Sequence, residues 1–223
     1  MRIGISTRRT SNYTYIDIRD ALSRDWTEYI NKILPESILI PFLNHPKMVY
    51  NMLNQLSFDA CILSNGENWG EDPLRDETEM ILIKECIKHK IPLIGICRGL
   101  QVLNIFFKGV VEKNIQKKFH ISHVTAEHKI KIVDKKLKCI SEEQIFSVNS
   151  YHNNGVLLDG LSKEFRPFAL ANDIVVEGFY HQSFPLLAIQ WHPERTNNSH
   201  DFNKNLITTF FTQKDFWNEH IDN

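Results

Sequence analysis

The stretch "PLIGICRGLQVLN", residues Pro92–Asn104, places a lone cysteine at the end of an apolar run. Directly after Cys97 the pattern changes to Arg-Gly and then to an amphipathic segment. This change predicts a β-strand, a sharp turn and an α-helix. Cys97 is therefore either a buried thiol at the end of a core strand or a nucleophile held on the turn.

The first half of the chain repeats this alternation of strand and helix. Near-continuous apolar strands joined by helices predict a mostly parallel sheet covered on both faces, and therefore an α/β three-layer sandwich. Ligand sites in such sheets lie beyond the carboxyl ends of the strands. The predicted strands are Arg2–Ser6, Ser37–Phe42, Asp59–Ser64 and Pro92–Cys97, and the predicted helices are Ser23–Leu34, Pro46–Leu56, Pro73–His89 and Arg98–Lys108.

Two details of these helices follow from residue type. Ser23 suits the N-cap of the first helix, because its hydroxyl can accept a hydrogen bond from a free backbone N–H group. In the third helix, Met80, Ile83 and Ile87 recur at helical spacing and are predicted to form the buried face.

The second half of the chain changes in style. Strand-like pieces separated by turn signals follow one another with little helix, and a closing helix is predicted at His200–Gln213. The basic run Lys129–Lys138 is expected to be the solvated face of a β-hairpin. No Pro/Gly/Ser linker occurs, so one domain over residues 1–223 is expected. The strand-like pieces are Lys129–Val133, Cys139–His152, Phe165–Asp173, Ile174–His181 and Pro185–Glu194.

Composition excludes several classes of function. The 223 residues include 26 basic and 27 acidic side chains, for a net charge of −1. This balance gives no general attraction for nucleic acid or an anionic membrane. No signal peptide and no apolar run long enough to cross a bilayer is recognised, so a cytoplasmic location is expected. A homo-oligomer is compatible with these features.

The cysteine pattern argues against disulfides and structural zinc. The four cysteines are widely spaced and form no CxxC pair. No GxxxxGK[ST] or GxGxxG motif occurs either, so no metal and no cofactor is expected. Cys61 and Cys86 fall on a predicted strand and helix and are expected to be inert buried thiols.

The residues around Cys97 have the form of a nucleophile elbow. Gly95 and Gly99 flank it in a G-x-nucleophile-x-G pattern, with cysteine where many hydrolases carry serine. Close packing at such a turn leaves no room for neighbouring β-carbons. The turn also places the thiol at a helix N-terminus, which favours the thiolate, and the N–H of Arg98 would face an oxyanion. This segment alone leaves the catalytic and the buried-thiol interpretations about equal.

A thiolate needs a base, and His192 is the best candidate among ten histidines. It follows the apolar strand "LLAIQW", and Glu194 lies two residues further on, where it can point the same way. A polar turn that caps a strand is the alternative. Among the remaining histidines, the three of "HISHVTAEH" fit no zinc spacing and are expected at surface or hairpin positions. His152 and His181 could line the site, but solvent-facing or structural roles are at least as plausible for them. These five histidines are His120, His123, His128, His152 and His181.

Four motifs together resemble a known family. "LSNG", "GICRGLQVLN", "VNSYH" and "AIQWHPE" follow in this order along the chain. The set resembles the class I glutamine amidotransferase domain, most closely its free-standing γ-glutamyl hydrolase branch, peptidase family C26. The resemblance runs from about residue 2 to residue 212 and implies acyl transfer by a cysteine.

The resemblance also implies residue roles. Cys97 would be the nucleophile, His192 the general base and acid, and Glu194 the residue that orients His192. The backbone N–H groups of Gly66 and Arg98 would form the oxyanion hole. The substrate's glutamyl group would be bound by Gln101, Asn149, Ser150 and Tyr151.

Two departures from the family pattern concern the leaving group. Glu67-Asn68-Trp69 follows Gly66 where relatives often carry another glycine, and Asn153-Asn154 replaces a common Gln-Ala. The resemblance favours a small-molecule substrate, a γ-glutamyl phosphoramidate linked to cytidine diphosphate in capsule phosphoramidate biosynthesis. Another γ-glutamyl amine, such as γ-glutamyl-γ-aminobutyrate, is the alternative.

Two further classes of function stay open beside the hydrolase. A glutaminase subunit that feeds ammonia to a separate synthetase is less favoured, because no synthetase domain follows Gln213. A non-catalytic binding protein is disfavoured, because all three catalytic positions carry competent residues. Predicted loops offer cations and stacking groups for a nucleotide substrate, and Arg8 is expected near the mouth of the site. These groups are Arg8, Arg9, Trp69, Arg75 and Arg195.

Overall fold

The computed structural model describes residues 1–11, 14, 17–115, 117, 124–172 and 174–218, with the backbone alone of 124–126. The expectations for His120 and His123 lie outside the described residues. The strands are β1 (Arg2–Ser6), β2 (Arg8–Ser11), β3 (Ile18–Ala21), β4 (Ile38–Phe42), β5 (Ala60–Leu63), β6 (Leu93–Ile96), β7 (Val124–Ile132), β8 (Ile145–Tyr151), β9 (Val156–Leu157), β10 (Phe165–Ala171), β11 (Val175–His181) and β12 (Leu186–Ile189). The α-helices are α1 (Arg24–Ile33), α2 (Pro46–Gln55), α3 (Pro73–His89), α4 (Arg98–Phe106) and α5 (His200–Gln213).

One mixed sheet of ten strands runs in the order β4-β1-β5-β6-β12-β11-β10-β7-β8, with β9 paired to β11. The strands from β4 to β12 are parallel, and those from β12 to β8 pair antiparallel. Ile96 at the end of β6 lies opposite Ile189 at the end of β12. The segments that follow these two strands therefore leave the sheet at the same edge, which brings Cys97 beside the segment that carries His192.

Helices cover both faces of the sheet. One apolar cluster joins α1 and α5 to the sheet, with Trp26 and Phe210 among its most buried side chains. The other cluster joins α2, α3 and α4 to the opposite face, through residues such as Leu82 and Leu100. The α/β three-layer sandwich is thus confirmed.

Side-chain caps fix where the helices begin. Ser23 is the N-cap of α1, as predicted, and its hydroxyl accepts from the N–H of Asp25 at 3.4 Å. The Asp72 carboxylate accepts from the first N–H groups of α3, and Pro73 occupies its first turn. These bonds satisfy donors that a helix leaves without partners at its start.

A two-stranded hairpin replaces the loop predicted after β1. Strands β2 and β3 pair antiparallel, with Arg8 opposite Ala21 and Ser11 opposite Ile18. The expectation of a loop at Arg8 is therefore wrong. Most of the hairpin's side chains are exposed and polar, so its sequence carries no apolar alternation from which strands could be inferred.

The inward face of α3 also differs from the predicted one. Ile83 is buried, but Met80 and Ile87 are only half-buried. Arg75 and Glu79 are fully buried instead, because the guanidinium and the carboxylate pair at 3.0 Å. The expectation that Arg75 lies on a loop at the mouth of the site is therefore wrong.

The basic run is divided between two elements. Lys129 and Lys131 are exposed on β7, which pairs with β8 as a hairpin, whereas Ile130 between them is buried. Lys135–Cys139 forms a short 3₁₀-helix rather than a strand. Within the part of the chain that the structure describes, no helix is long and apolar enough to span a bilayer.

Candidate active site

Cys97 sits on a strained turn between β6 and α4. Its backbone has φ +54° and ψ −99°, a conformation that costs a non-glycine residue about 1–3 kcal/mol. A β-carbon on Gly95 would lie 2.6 Å from the carbonyl carbon of Gly99, and one on Gly99 would collide with the carbonyl oxygen of Leu63. Both flanking glycines are therefore required by the close contact between α4 and the strands.

The turn points the thiol at the start of a helix. Cys97 is the N-cap of α4 and makes no side-chain capping bond, and its N–H donates to the carbonyl of Ile189 at 2.9 Å. Only 8% of the residue is exposed. The free N–H groups of the first turn and the helix dipole favour a negative charge at this point.

His192 and Glu194 lie within hydrogen-bond distance of each other at the same edge of the sheet. His192 Nδ1 is 2.8 Å from Glu194 Oε1, and both residues are buried. His192 Nε2 has no hydrogen-bond partner among the described residues. The nitrogen that faces away from Glu194 is thus available for proton transfer.

The electrostatic setting of His192 favours the imidazolium. Burial lowers the pKa of His192, but attraction to the Cys97 thiolate and then to the Glu194 carboxylate outweighs burial, and the pKa is raised to about 9. A raised pKa means that the ring is mostly protonated at neutral pH. The His192 ring can therefore donate a proton beside Cys97.

Asn149 holds the backbone of His192 from a different strand. Its Nδ2 donates to the His192 carbonyl at 2.9 Å, and its Oδ1 accepts from the His192 N–H at 2.9 Å. The Asn149 side chain thus contacts His192 directly. Nothing in the sequence indicated this contact, because it joins residues on β8 and after β12.

Gly66 lies in the loop after β5 in a conformation that favours glycine, with φ +152°. A β-carbon there would collide with the guanidinium of Arg75. Arg75 donates to the carbonyls of Ser64 and Asn65 at 3.0 and 3.1 Å and to the Glu67 carboxylate at 2.9 Å. One buried cation therefore holds the whole loop, which we call the Gly66 loop (residues 64–67).

A buried ion network connects the Gly66 loop to the Cys97 turn. Glu79 is fully buried and accepts from Arg75 Nε at 3.0 Å, from the Ser6 hydroxyl at 2.8 Å and from the Arg98 guanidinium. Burial raises the pKa of Glu79, but Arg98 and Arg75 outweigh it and the net pKa is lowered. One ionised carboxylate thus anchors both segments whose N–H groups are predicted to face an oxyanion.

The positions predicted to bind a glutamyl group have varied surroundings. Gln101 is mostly buried, and its Nε2 donates to the Asn154 carbonyl at 3.0 Å. Ser150 is fully buried. Tyr151 is 40% exposed, and its ring lies edge-on to His192 at 5.4 Å between centroids. Tyr151 therefore borders the site from the solvent side.

The other histidines form contacts of their own. His152 and His128 lie 3.7 and 3.3 Å from the carboxylate of Glu177, which is fully buried. His181 Nδ1 accepts from the N–H groups of Ser183 and Phe184. His181 therefore holds a turn, one of the two roles considered for it.

Two of the predicted mouth arginines are close to the site. A β-carbon on Gly66 would lie 3.0 Å from Cβ of Arg8, so Arg8 borders the Gly66 loop. The Arg195 guanidinium lies 4.2 Å from the centroid of the Tyr151 ring. Arg9, by contrast, is 4.0 Å from the Asp72 carboxylate.

The α/β sandwich, with a cysteine on a strand–helix turn beside a His–Glu pair, is the arrangement typical of class I glutamine amidotransferase-like domains. A family model described as Peptidase C26 matches residues 2–194, and the chain belongs to this family. The resemblance inferred from the four motifs is thereby confirmed. Membership of this family makes the protein a hydrolase.

Similar proteins carry γ-glutamyl chemistry in their names. The γ-glutamyl-CDP-amidate hydrolase of Campylobacter jejuni subsp. jejuni serotype O:2 is 32% identical over 213 residues, which cover 88% of this chain and 92% of that one. The γ-glutamyl-γ-aminobutyrate hydrolase of Shigella flexneri is 27% identical, with 87% and 86% covered. The glutaminase domain of Trypanosoma brucei CTPS with bound acivicin superposes with a TM-score of 0.69 at 16% identity, over 96% of this chain and 94% of that one, and shows the fold alone.

Proposed function

We propose that the protein hydrolyses a γ-glutamyl amide bond through a thioester on Cys97. The observation that carries this proposal is the relation of three residues. Cys97 projects from an elbow at positive φ, Cys97 and Glu194 together raise the pKa of His192, and Glu194 Oε1 lies 2.8 Å from His192 Nδ1. A buried structural cysteine would need neither the strained backbone nor an oriented imidazole.

In the first half of the reaction, the Cys97 thiolate attacks the γ-carbonyl carbon of the substrate. The carbonyl oxygen becomes an oxyanion, which the N–H groups of Gly66 and Arg98 stabilise. When the C–N bond breaks, His192 Nε2 gives its proton to the departing nitrogen. The products of this half are a γ-glutamyl thioester and a neutral leaving amine.

In the second half, neutral His192 takes a proton from water. The hydroxide attacks the thioester carbon, the C–S bond breaks, and glutamate and the thiolate–imidazolium pair result. Glu194 keeps the imidazole in the required tautomer and stabilises its charge in both halves. No group outside the chain and water is needed.

For the substrate, we propose γ-glutamyl-CDP-amidate, which would give glutamate and cytidine diphosphoramidate. The name of the C. jejuni relative supports this choice, since that protein matches nearly the whole chain. The two arginines beside the site, Arg8 and Arg195, are suited to an anionic leaving group. γ-Glutamyl-γ-aminobutyrate is the second candidate, supported by the name of the S. flexneri relative.

The test is glutamate release by the purified protein from glutamine, γ-glutamyl-γ-aminobutyrate and γ-glutamyl-CDP-amidate. We expect the highest kcat/KM with γ-glutamyl-CDP-amidate, and we expect Cys97→Ala to lower kcat about 10⁴- to 10⁶-fold. Cys139→Ala is the matched control, because this thiol is exposed and lies in a distant 3₁₀-helix. Turnover that survives Cys97→Ala would refute the thioester, and release from glutamine alone would refute the substrate.

A further inference from the structure

A cavity of about 290 Å³ lies beside the proposed active site. Its lining comes from three parts of the chain: the β2–β3 hairpin and the residues that follow it, the Gly66 loop, and the residue after Glu194. The polar residues of this lining are Arg8, Thr10, Ser23, Ser64, Asn65 and Arg195. We call it the hairpin cavity.

Residues that line the hairpin cavity neighbour the Gly66 loop on one side and Tyr151, beside His192, on the other. Ser64 and Asn65 directly precede Gly66, and Cβ of Arg8 would touch a β-carbon placed on Gly66. On the other side, Arg195 stacks on Tyr151, whose ring is edge-on to His192. His192 is the proposed proton donor to the leaving nitrogen, so the cavity is a candidate site for a group attached to that nitrogen.

The charges around the hairpin cavity are positive and poorly balanced. Arg8 makes no ion pair within the described part of the chain, and no carboxylate residue from that part lines the cavity. Arg195 Nε is 3.8 Å from Glu194 Oε1, but that oxygen already accepts from His192. Arg9, one residue along the same strand, lies near Asp72 instead.

We propose that the hairpin cavity is the leaving-group subsite and binds an anionic group between Arg8 and Arg195. This inference rests on the proposed function. Guanidinium groups match phosphate and carboxylate oxygens in geometry and charge. The volume is at the lower end of the roughly 300–1,000 Å³ typical of small-molecule pockets, so the cavity fits a phosphate or carboxylate with its short connection rather than a whole nucleotide.

The subsite gives the β2–β3 hairpin a role beside the proposed active site, which is to line the pocket for the leaving group. Thr10 and Ser23 add hydroxyl groups to the lining of the cavity. An anion bound here would hold the leaving nitrogen near His192 while the glutamyl group lies at Cys97. The energy of binding this anion, at a distance from the scissile bond, would thus orient the scissile bond for attack.

The test compares Arg8→Gln and Arg195→Gln with the control Arg9→Gln, which removes a neighbouring charge outside the cavity. The substrates are γ-glutamyl-CDP-amidate, γ-glutamyl-γ-aminobutyrate and the neutral γ-glutamyl-p-nitroanilide. We expect each cavity variant to lower the ratio of kcat/KM for an anionic substrate to that for the anilide by about 10- to 100-fold. Arg9→Gln should leave this ratio within about twofold of the wild-type ratio.

Each result supports or refutes the subsite separately from the chemistry. A lowered ratio with the CDP-amidate assigns the cavity to phosphate, and one with the aminobutyrate assigns it to carboxylate. Equal losses on charged and neutral substrates, in variants whose unfolding temperatures match the wild type, would overturn the subsite and leave the γ-glutamyl hydrolysis intact. A wild-type protein that cleaves none of the three substrates would refute the proposed function instead.

Discussion

In the parallel half of the ten-stranded sheet, β5 and β6 end in the Gly66 loop and the Cys97 turn. In the antiparallel half, the end of β8 carries Asn149 and Tyr151, which contact His192. In the parallel half, the backbone of both segments is held in place. Glycines allow close contact with neighbouring main chain, and a buried ion network joins the two segments. The antiparallel half supplies side chains that hold an imidazole. The proposed nucleophile is therefore held by a strained turn, and its proposed base is held by hydrogen bonds.

The largest effect is expected from Glu79→Gln in the parallel half. Because two buried guanidiniums lose a shared charge, we expect a loss of about 3–5 kcal/mol in the free energy of unfolding, measured in urea. We also expect kcat to fall about 100-fold or more, because both proposed oxyanion donors lose their anchor.

Glu77→Gln is the matched control, since this carboxylate is exposed on the same helix. It should change stability by less than about 0.5 kcal/mol. The lowered pKa of Glu79 gives a second check. A depressed pKa stabilises the fold above the ordinary value of 4.5, so the stability difference between wild type and Glu79→Gln should shrink as the pH falls below it. If Glu79→Gln and Glu77→Gln are equally stable at neutral pH, the role of the network is contradicted.

A smaller effect is expected from Asn149→Ala in the antiparallel half. The change removes two hydrogen bonds to the His192 backbone and should lower kcat about 10- to 100-fold through misplacement of the imidazole. The free energy of unfolding should fall by about 1–3 kcal/mol. Asn153→Ala, at an exposed neighbour, should leave kcat unchanged. If both asparagine variants behave alike, the base is not held from β8.

The smallest effect concerns pH. The raised pKa of His192, about 9, means that the proton donor is present below that pH and is lost above it. We therefore expect kcat/KM to decline as the pH rises through about 9. Glu194→Gln removes one of the two attractions and should move this decline to lower pH by about one unit. Glu164→Gln, beside His181, is the control that should leave the profile in place. A profile unaffected by Glu194→Gln would show that another group titrates.

The strands and the Cys97 turn of the parallel half can be predicted from the sequence. The buried ion pairs and the sheet order that position them cannot, for physical reasons. Apolar runs mark β1, β5 and β6, and the turn at Cys97 is visible because glycines flank it. The inward face of α3 escapes periodicity arguments, because Arg75 and Glu79 look solvent-exposed until their pairing is known. Likewise, His192 and Glu194 can be proposed from "WHPE", but their place beside Cys97 depends on the sheet order, which pairs β6 with β12 although the two strands lie far apart in the chain.

The β2–β3 hairpin forms a small sheet of its own, hydrogen-bonded strand to strand apart from the ten-stranded sheet. No strand-to-strand hydrogen bond joins the hairpin to the larger sheet within the part of the chain that the structure describes. Substitutions at a few exposed hairpin positions could therefore change which leaving group the protein accepts in the course of evolution. The proposed catalytic residues would stay the same. For protein engineering, the hairpin is the segment to exchange when a different leaving group is wanted.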